Sequence, residues 1–249
     1  MLVIVLATYN GEKYLHEQID SICAQTVAEW TLLVSDDNSS DATLELLRRL
    51  AREDRRIRLM PQASRRLGPT MNFARLLSHA YEVGAQYVAL ADQDDVWFPT
   101  KLKSQLERIH AIEAAAGREQ PALVHTDAEV VDTMLNPIAG SRHHFSGSSN
   151  QAHFHSNALG RLLLHAYVQG CTIMVNRPLL DFIVPVPPAA VSHDWWCSLC
   201  AAASGTIDSF PSRRSNTGSM VTIASARGMA GHSRSQNALS ATGIIGDTG

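Results

Sequence analysis

The chain is short of several things, and each shortage excludes a class of protein. Four cysteines in 249 residues (Cys23, Cys171, Cys197 and Cys200) are too few for a disulfide framework. A reducing, cytoplasmic setting is the expectation. Charge of one sign is also missing: 21 Lys and Arg stand against 24 Asp and Glu, a net of −3. No basic surplus points to nucleic acid, and no acidic block forms a solvating tail. The longest apolar runs, such as Leu2 to Ala7, fall far short of the ~20 residues of a membrane span. No basic segment precedes that run, so no signal peptide is expected, and membrane association is expected to be peripheral at most. The sequence has no GxGxxG, no GxxxxGK[ST] and no GxSxG. Dinucleotide, P-loop and serine-nucleophile readings therefore lose their main support.

What is present suffices for a core: 45% of residues are hydrophobic and 18% charged, enough for one large domain or two small ones. The first half alternates apolar runs with amphipathic segments. Leu2 to Thr8, Trp30 to Ser35, Arg58 to Met60, Gln86 to Ala91 and Pro121 to His125 read as strands. Glu12 to Gln25, Leu44 to Leu50, Gly68 to about Val83 and Thr100 to Ala115 read as helices, the second capped by Ser40 or Asp41. Strand–helix alternation of this kind predicts an α/β fold with a mostly parallel sheet and helices on both faces. Ligands of such sheets bind at the carboxyl ends of the strands. Thr8-Tyr9-Asn10, Asp36-Asp37 and Asp92-Gln93-Asp94-Asp95 all fall there. Ser141 to Asn157, with its four histidines, reads as a polar loop. Ala158 to Tyr167 reads as a helix, Cys171 to Val175 as a strand and Ala189 to Ala203 as a helix.

Each polar cluster has two readings. Asp92, Asp94 and Asp95 suit a hard divalent cation that neutralises a diphosphate, or else form a solvated acidic turn. Asp36 can accept from a nucleobase N–H, while Ser39 to Asp41 make an Asx-type turn and helix cap. In His193-Asp194-Trp195-Trp196, aromatic neighbours raise a carboxylate toward general-base use. The residues alone favour a core helix there, with Asp194 as its cap. Cys197 and Cys200 supply one Cys-x-x-Cys pair where structural zinc needs four ligands. They read as core.

Taken in order, these motifs resemble those of the family 2 glycosyltransferases. They are Ala7-Thr8-Tyr9-Asn10-Gly11, Ser35-Asp36-Asp37-Asn38-Ser39-Ser40-Asp41, Ala91-Asp92-Gln93-Asp94-Asp95-Val96-Trp97, Gly170-Cys171-Thr172 and His193-Asp194-Trp195-Trp196. The rhamnosyltransferase-like branch is the most similar, and the likeness covers roughly residues 1–208. It implies a GT-A fold with a nucleotide-sugar half (1–125) and an acceptor-side half (126–208). It also implies a metal-dependent hexosyltransferase that inverts the anomeric centre, with Mg²⁺ or Mn²⁺ as cofactor. The implied donor is a nucleotide-diphosphate sugar, leaning toward dTDP-rhamnose, and the implied acceptor a saccharide or lipid-linked saccharide in surface polysaccharide synthesis. Ala7, Thr8, Tyr9 and Asp36 would line the nucleoside pocket. Asp94 would hold the metal, Asp92 would lie near the ribose and Asp95 would orient the sugar. Asp194 would be the general base, in place of the helix cap that the residues alone favour.

Residues 209–249 break the pattern: they hold one acidic residue, Asp247, and one aromatic, Phe210. The family continues shortly after the position of Ile207 with a strand ending in a Tyr-Arg-Gln-His-Gly-type motif, whose histidine helps bind the metal. That motif is absent. Among the synonymous codons for Asn216 to Ala226, one choice spells Tyr-Arg-Gln-His-Gly when read from the third base. The tail is therefore expected to be irregular and shifted in frame near Ser209 to Ser212. A catalytically impaired nucleotide-sugar binder is the alternative function.

Overall fold

The computed structural model describes residues 1–142 and 157–209 in full, and the backbone of 220–223. The histidine-rich loop from 143 to 156 and most of the tail lie outside the described residues. The elements in chain order begin β1 (Leu2–Thr8), α1 (Glu12–Cys23), β2 (Thr31–Asp36), α2 (Thr43–Glu53), β3 (Ile57–Leu59), α3 (Pro69–Glu82) and β4 (Tyr87–Ala91). Next come β5 (Asp95–Trp97), α4 (Lys101–Ala116), β6 (Ala122–His125), β7 (Ala128–Val131) and β8 (Pro137–Ala139). A short helix α5 (Ala158–Leu162) leads to a 3₁₀ turn (Gly170–Thr172), β9 (Ile173–Asn176), α6 (Arg177–Ile183), α7 (His193–Ser204), β10 (Thr206–Ser209) and β11 (Met220–Ile223).

Seven strands form the main sheet in the order β10-β6-β9-β4-β1-β2-β3. All neighbours run parallel except β9, which is antiparallel to both β4 and β6. The unbroken apolar run of β1 has its cause in this topology: the strand is central and buried on both faces. Its even residues Leu2, Ile4 and Leu6 join the core beneath α1, α2 and α4. Val3 and Val5 join the opposite core, beneath α3, α6 and α7. The α/β expectation, with helices on both faces, holds.

From β1 the chain steps outward to β2 and β3, then returns to the other side of β1 as β4. That reversal opens a crevice beyond the carboxyl ends of β1 and β4. Thr8-Tyr9 and Asp92-Gln93-Asp94 emerge there.

Several local features differ from the sequence reading: the helix expected over Ala158 to Tyr167 ends at Leu162, and Ala42, not Ser40 or Asp41, is in the N-cap position of α2. The strand expected from Cys171 begins at Ile173, because Thr172 turns back, its N–H (3.0 Å) and Oγ1 (2.7 Å) both donating to the Gln169 carbonyl. The helix expected from Ala189 begins at His193, with Ser192 in the N-cap position. A second sheet, β5-β11-β7-β8, has no counterpart in the sequence reading. Its strands of three or four residues are too short to show a period. Met220–Ile223, within the tail expected to be irregular, is one of them.

Candidate functional site

The crevice holds a cleft of about 290 Å³. One wall is the end of β1: Ala7, Thr8 and Tyr9. Asp37, Arg66, Asn72 and Phe73 form the second side, and Asp92, Gln93 and Asp94 the third. The sequence-predicted Ala7, Thr8, Tyr9, Asp92 and Asp94 thus converge on one cavity.

Asp36 is not among the lining residues. It is 5% exposed, and its carboxylate accepts from Thr8 Oγ1 at 3.1 Å and from the Ser39 amide at 3.0 Å. Asp37 is the neighbour that reaches the cleft. Its two oxygens accept the amides of Leu67 (2.6 Å) and Gly68 (2.8 Å). This fixes the loop before α3, where Gly68 takes φ +77°, a conformation that favours glycine. Arg66 in that loop lays its guanidinium 3.5 Å over the Tyr9 ring, a cation–π contact across the mouth of the cleft. Sequence reasoning misses Asp37 and Arg66 as cleft residues. The Gly68-Pro69 helix start is the available signal, since it marks a turn held by something.

Gln93 is a further cleft residue without a sequence signal of its own. Its Oε1 accepts the Tyr9 amide at 2.9 Å and its Nε2 donates to the Tyr9 carbonyl at 3.1 Å, which ties the β1 and β4 ends together. Gly11 makes room for it: a Cβ there would lie 2.3 Å from Gln93 Oε1.

The acidic end of the cleft is electrostatically strained. Burial pushes Asp92 up to about 7, with the charges of Asp94 and Asp194 adding to the rise and the Cys171 thiol opposing it. Asp94 is raised by burial. Asp95 is 1% exposed and lies well above the usual carboxylate range, through burial first and then Asp92 and Asp94. Asp95 Oδ2 finds no hydrogen-bond partner among the described residues. Ligand atoms of Asp92, Asp95 and Cys171 lie within 4.8 Å of one another. Crowded, underpartnered carboxylates fit a hard divalent cation, which takes oxygen ligands and relieves their repulsion. Cys171 is a soft third member of that group and Asp94, the expected metal ligand, is not in it, so it is the carboxylates that suit a hard cation such as Mg²⁺ or Mn²⁺.

Asp194 approaches from α7. Its Oδ2 accepts the Gly170 amide at 3.3 Å and its Oδ1 accepts the Trp195 amide at 2.8 Å. Gly170 adjoins Cys171, whose thiol lies within 4.8 Å of the Asp92 and Asp95 ligand atoms, so α7 brings Asp194 toward the acidic end. The tryptophans beside it are anchored. Trp195 Nε1 donates to the Leu162 carbonyl and Trp196 Nε1 to the Ile183 carbonyl. Cys197 is buried in the core, as expected, and all four cysteines are free thiols.

The family model of glycosyl transferase family 2 matches residues 3–174. The chain belongs to glycosyl transferase family 2. Among curated relatives it is 32% identical over 103 residues to the dTDP-rhamnosyl transferase RfbG of Shigella flexneri, covering 41% of this chain and 36% of that one. It is 34% identical over 111 residues to the WfgD β-1,3-glucosyltransferase of Escherichia coli, covering 43% and 40%. The chain thus matches well under half the length of these relatives. Among solved structures, TarS of S. aureus in complex with UDP-GlcNAc superposes with a TM-score of 0.65 at 19% identity, covering 90% of this chain and 58% of that one. The mannosyltransferase PcManGT of Pyrobaculum calidifontis, in complex with GDP-Man and Mn²⁺, gives 0.59 at 18% identity, covering 91% and 58%. These likenesses identify the fold as GT-A. Among the described residues, no helix is long and apolar enough to cross a membrane.

Proposed function

We propose that this chain is an inverting, metal-dependent glycosyltransferase that moves a sugar from a nucleotide-diphosphate donor to a saccharide or lipid-linked acceptor. The carrying observation is a single cleft with a stacking and hydrogen-bonding end at Tyr9, Asp37 and Arg66 and a carboxylate end at Asp92 and Asp94. A nucleoside suits the first end and a metal-bound diphosphate the second. In this reading Ala7, Thr8 and Tyr9 seat the nucleoside, and Asp36 orients Thr8 from behind. Asp94 would hold the cation and Asp92 would face the ribose, while Asp95, 1% exposed and not among the lining residues, backs the acidic end and acts on the donor sugar only through its neighbours. The bound cation would neutralise the departing diphosphate.

Asp194 takes the proton of the acceptor hydroxyl, whose oxygen attacks the anomeric carbon through an oxocarbenium-like state. The nucleoside diphosphate leaves with the bonding pair. Likeness to RfbG supports dTDP-rhamnose as donor, and the relatives' names support a place in surface polysaccharide synthesis. Residues 1–125 then form the donor half and 126–208 the acceptor half.

The test is a thermal-shift panel of dTDP-, UDP- and GDP-sugars with and without Mg²⁺ or Mn²⁺, followed by nucleoside diphosphate release with acceptor. Binding at 100 times the dissociation constant adds about 2.7 kcal/mol, a readable shift. No shift with any donor and metal would overturn the proposal. Binding without release would favour the impaired-binder reading, which the missing Tyr-Arg-Gln-His-Gly motif supports.

A further inference from the structure

The proposed chemistry leaves the buried His193 without a role. It opens α7 with 8% of its surface exposed and lies flat on Phe73 of α3, ring centroids 3.8 Å apart and planes 16° from parallel. Phe73 is a wall of the cleft. Gly170 also closes on the ring: a Cβ there would lie 2.8 Å from His193 Nε2 and 3.5 Å from Asp194 Cβ. The Gly170 amide in turn donates to Asp194 Oδ2.

Neither ring nitrogen of His193 finds a partner among the described residues. The contacts the ring makes are packing contacts: the flat stack on Phe73, which an aliphatic chain would lose, and the approach to Gly170, where a Cβ has no room.

We propose that His193 is the positioning residue of Asp194: wedged between Phe73 and Gly170, it fixes the turn whose amide holds the Asp194 carboxylate. The cleft wall and the proton acceptor are thereby one packed unit. This rests on the assignment of Asp194 above.

Two single variants perturb the wedge from opposite sides. In Gly170→Ala the new methyl collides with Nε2, and in His193→Ala the wedge is gone. Each is expected to lower kcat about 10- to 100-fold, the range a misplaced reacting group produces. Donor KM and nucleoside diphosphate Kd should change several-fold less than kcat, since the ring reaches the donor cleft through Phe73 while Asp194 takes part in the chemical step. The double variant is decisive. Removing the ring makes room for the methyl, so the double loses no more than the worse single, whereas independent effects multiply.

Gly170→Ala is the milder change and keeps the test open if His193→Ala melts early. A second readout needs no turnover. The Asp194 carboxyl carbon, assigned in ¹³C-aspartate-labelled protein by its loss in Asp194→Asn, should move in both single variants. An unmoved resonance, multiplying losses or an effect confined to KM would each overturn the proposal. If the unaltered chain releases no nucleoside diphosphate at all, the glycosyltransferase reading fails while the carbon spectrum still decides this one.

Discussion

A lysine with no exposed surface is an unusual residue to place behind a carboxylate cluster. Lys101 is 0% exposed, donates from Nζ to Gln105 Oε1 at 3.3 Å, and lies 3.6 Å over the Trp97 ring. Burial pulls it from 10.5 down to about 7, with Cys171 and Asp95 holding it partly up. The sign follows from proton counting. Between about 7 and 10.5 the unfolded lysine keeps a proton that the folded one has released, so stability rises with pH across that window. Below about 7 the cost of the buried ammonium is felt in full. Lys101→Met should therefore be the more stable protein at pH 6, by about 1–4 kcal/mol, with the gap closing toward pH 10. Urea melts at both pH values check this, and a gap that widens with pH would refute it. At the cleft itself, Asp94→Asn should abolish metal-dependent nucleoside diphosphate release while the melting temperature in the absence of metal does not fall, because a half-buried carboxylate whose pKa is raised is relieved by neutralisation. Asp194→Asn should retain donor binding in a titration and lose about 10²–10⁴-fold in kcat, the share general-base help supplies. Lost donor affinity instead would make Asp194 a cap.

Among the elements, those that the chain announces are those buried on both faces. The runs in β1, β2 and β4 are apolar because each lies between two helix layers, and their carboxyl ends are legible as ligand-binding positions for the same reason. What is not legible depends on contacts far apart in sequence. Nothing local says that Asp37 caps the 66–68 loop or that Arg66 lies on Tyr9. Gly170 as a close-approach glycine is likewise visible only once α7 is packed against the turn. The resemblance of ordered motifs, rather than any periodicity, is what implies a proton acceptor at Asp194 in place of a helix cap. A prediction belongs to the Asp37 cap. Asp37→Ala leaves the Leu67 and Gly68 amides, now held at 2.6 and 2.8 Å, without their acceptor. Bonds to a charged group are worth about 1.5–3 kcal/mol each, so a loss of at least about 2 kcal/mol in a urea melt is expected. Donor affinity should weaken with it, because the same loop seats Arg66 over Tyr9 at the end of the cleft proposed for the nucleoside. Unchanged stability with weakened binding would make Asp37 a ligand contact and not a strut.

At the scale of the whole molecule, the two sheets meet at the acidic end of the cleft. β5 carries Asp95 and Trp97, and it pairs with β11, with Met220 opposite Trp97 and Thr222 opposite Asp95. β11 also pairs with β7, so it fills the position between them. The tail therefore reaches the site through backbone pairing, even though the family's histidine motif is absent from it. Removing residues 210–249 would leave the facing edges of β5 and β7 without their shared partner, and an edge with unpaired amides next to the acidic loop is expected to loosen it. The truncated chain should melt earlier and show a smaller donor-plus-metal shift than the full chain. Restoring the motif is the opposite change. If codons across Asn216 to Ala226 read Tyr-Arg-Gln-His-Gly one frame over, a chain re-encoded in that frame regains a strand sequence ending in a histidine. The histidine would fall at the Ser219–Met220 offset, where β11 begins and Met220 stands opposite Trp97. Metal-dependent nucleoside diphosphate release should then exceed that of the present chain, and half-saturation in Mn²⁺ should fall. A gene whose codons do not spell the motif at that offset removes the premise. A re-encoded chain with unchanged metal dependence removes the conclusion, because the histidine would then have no hold on the cation.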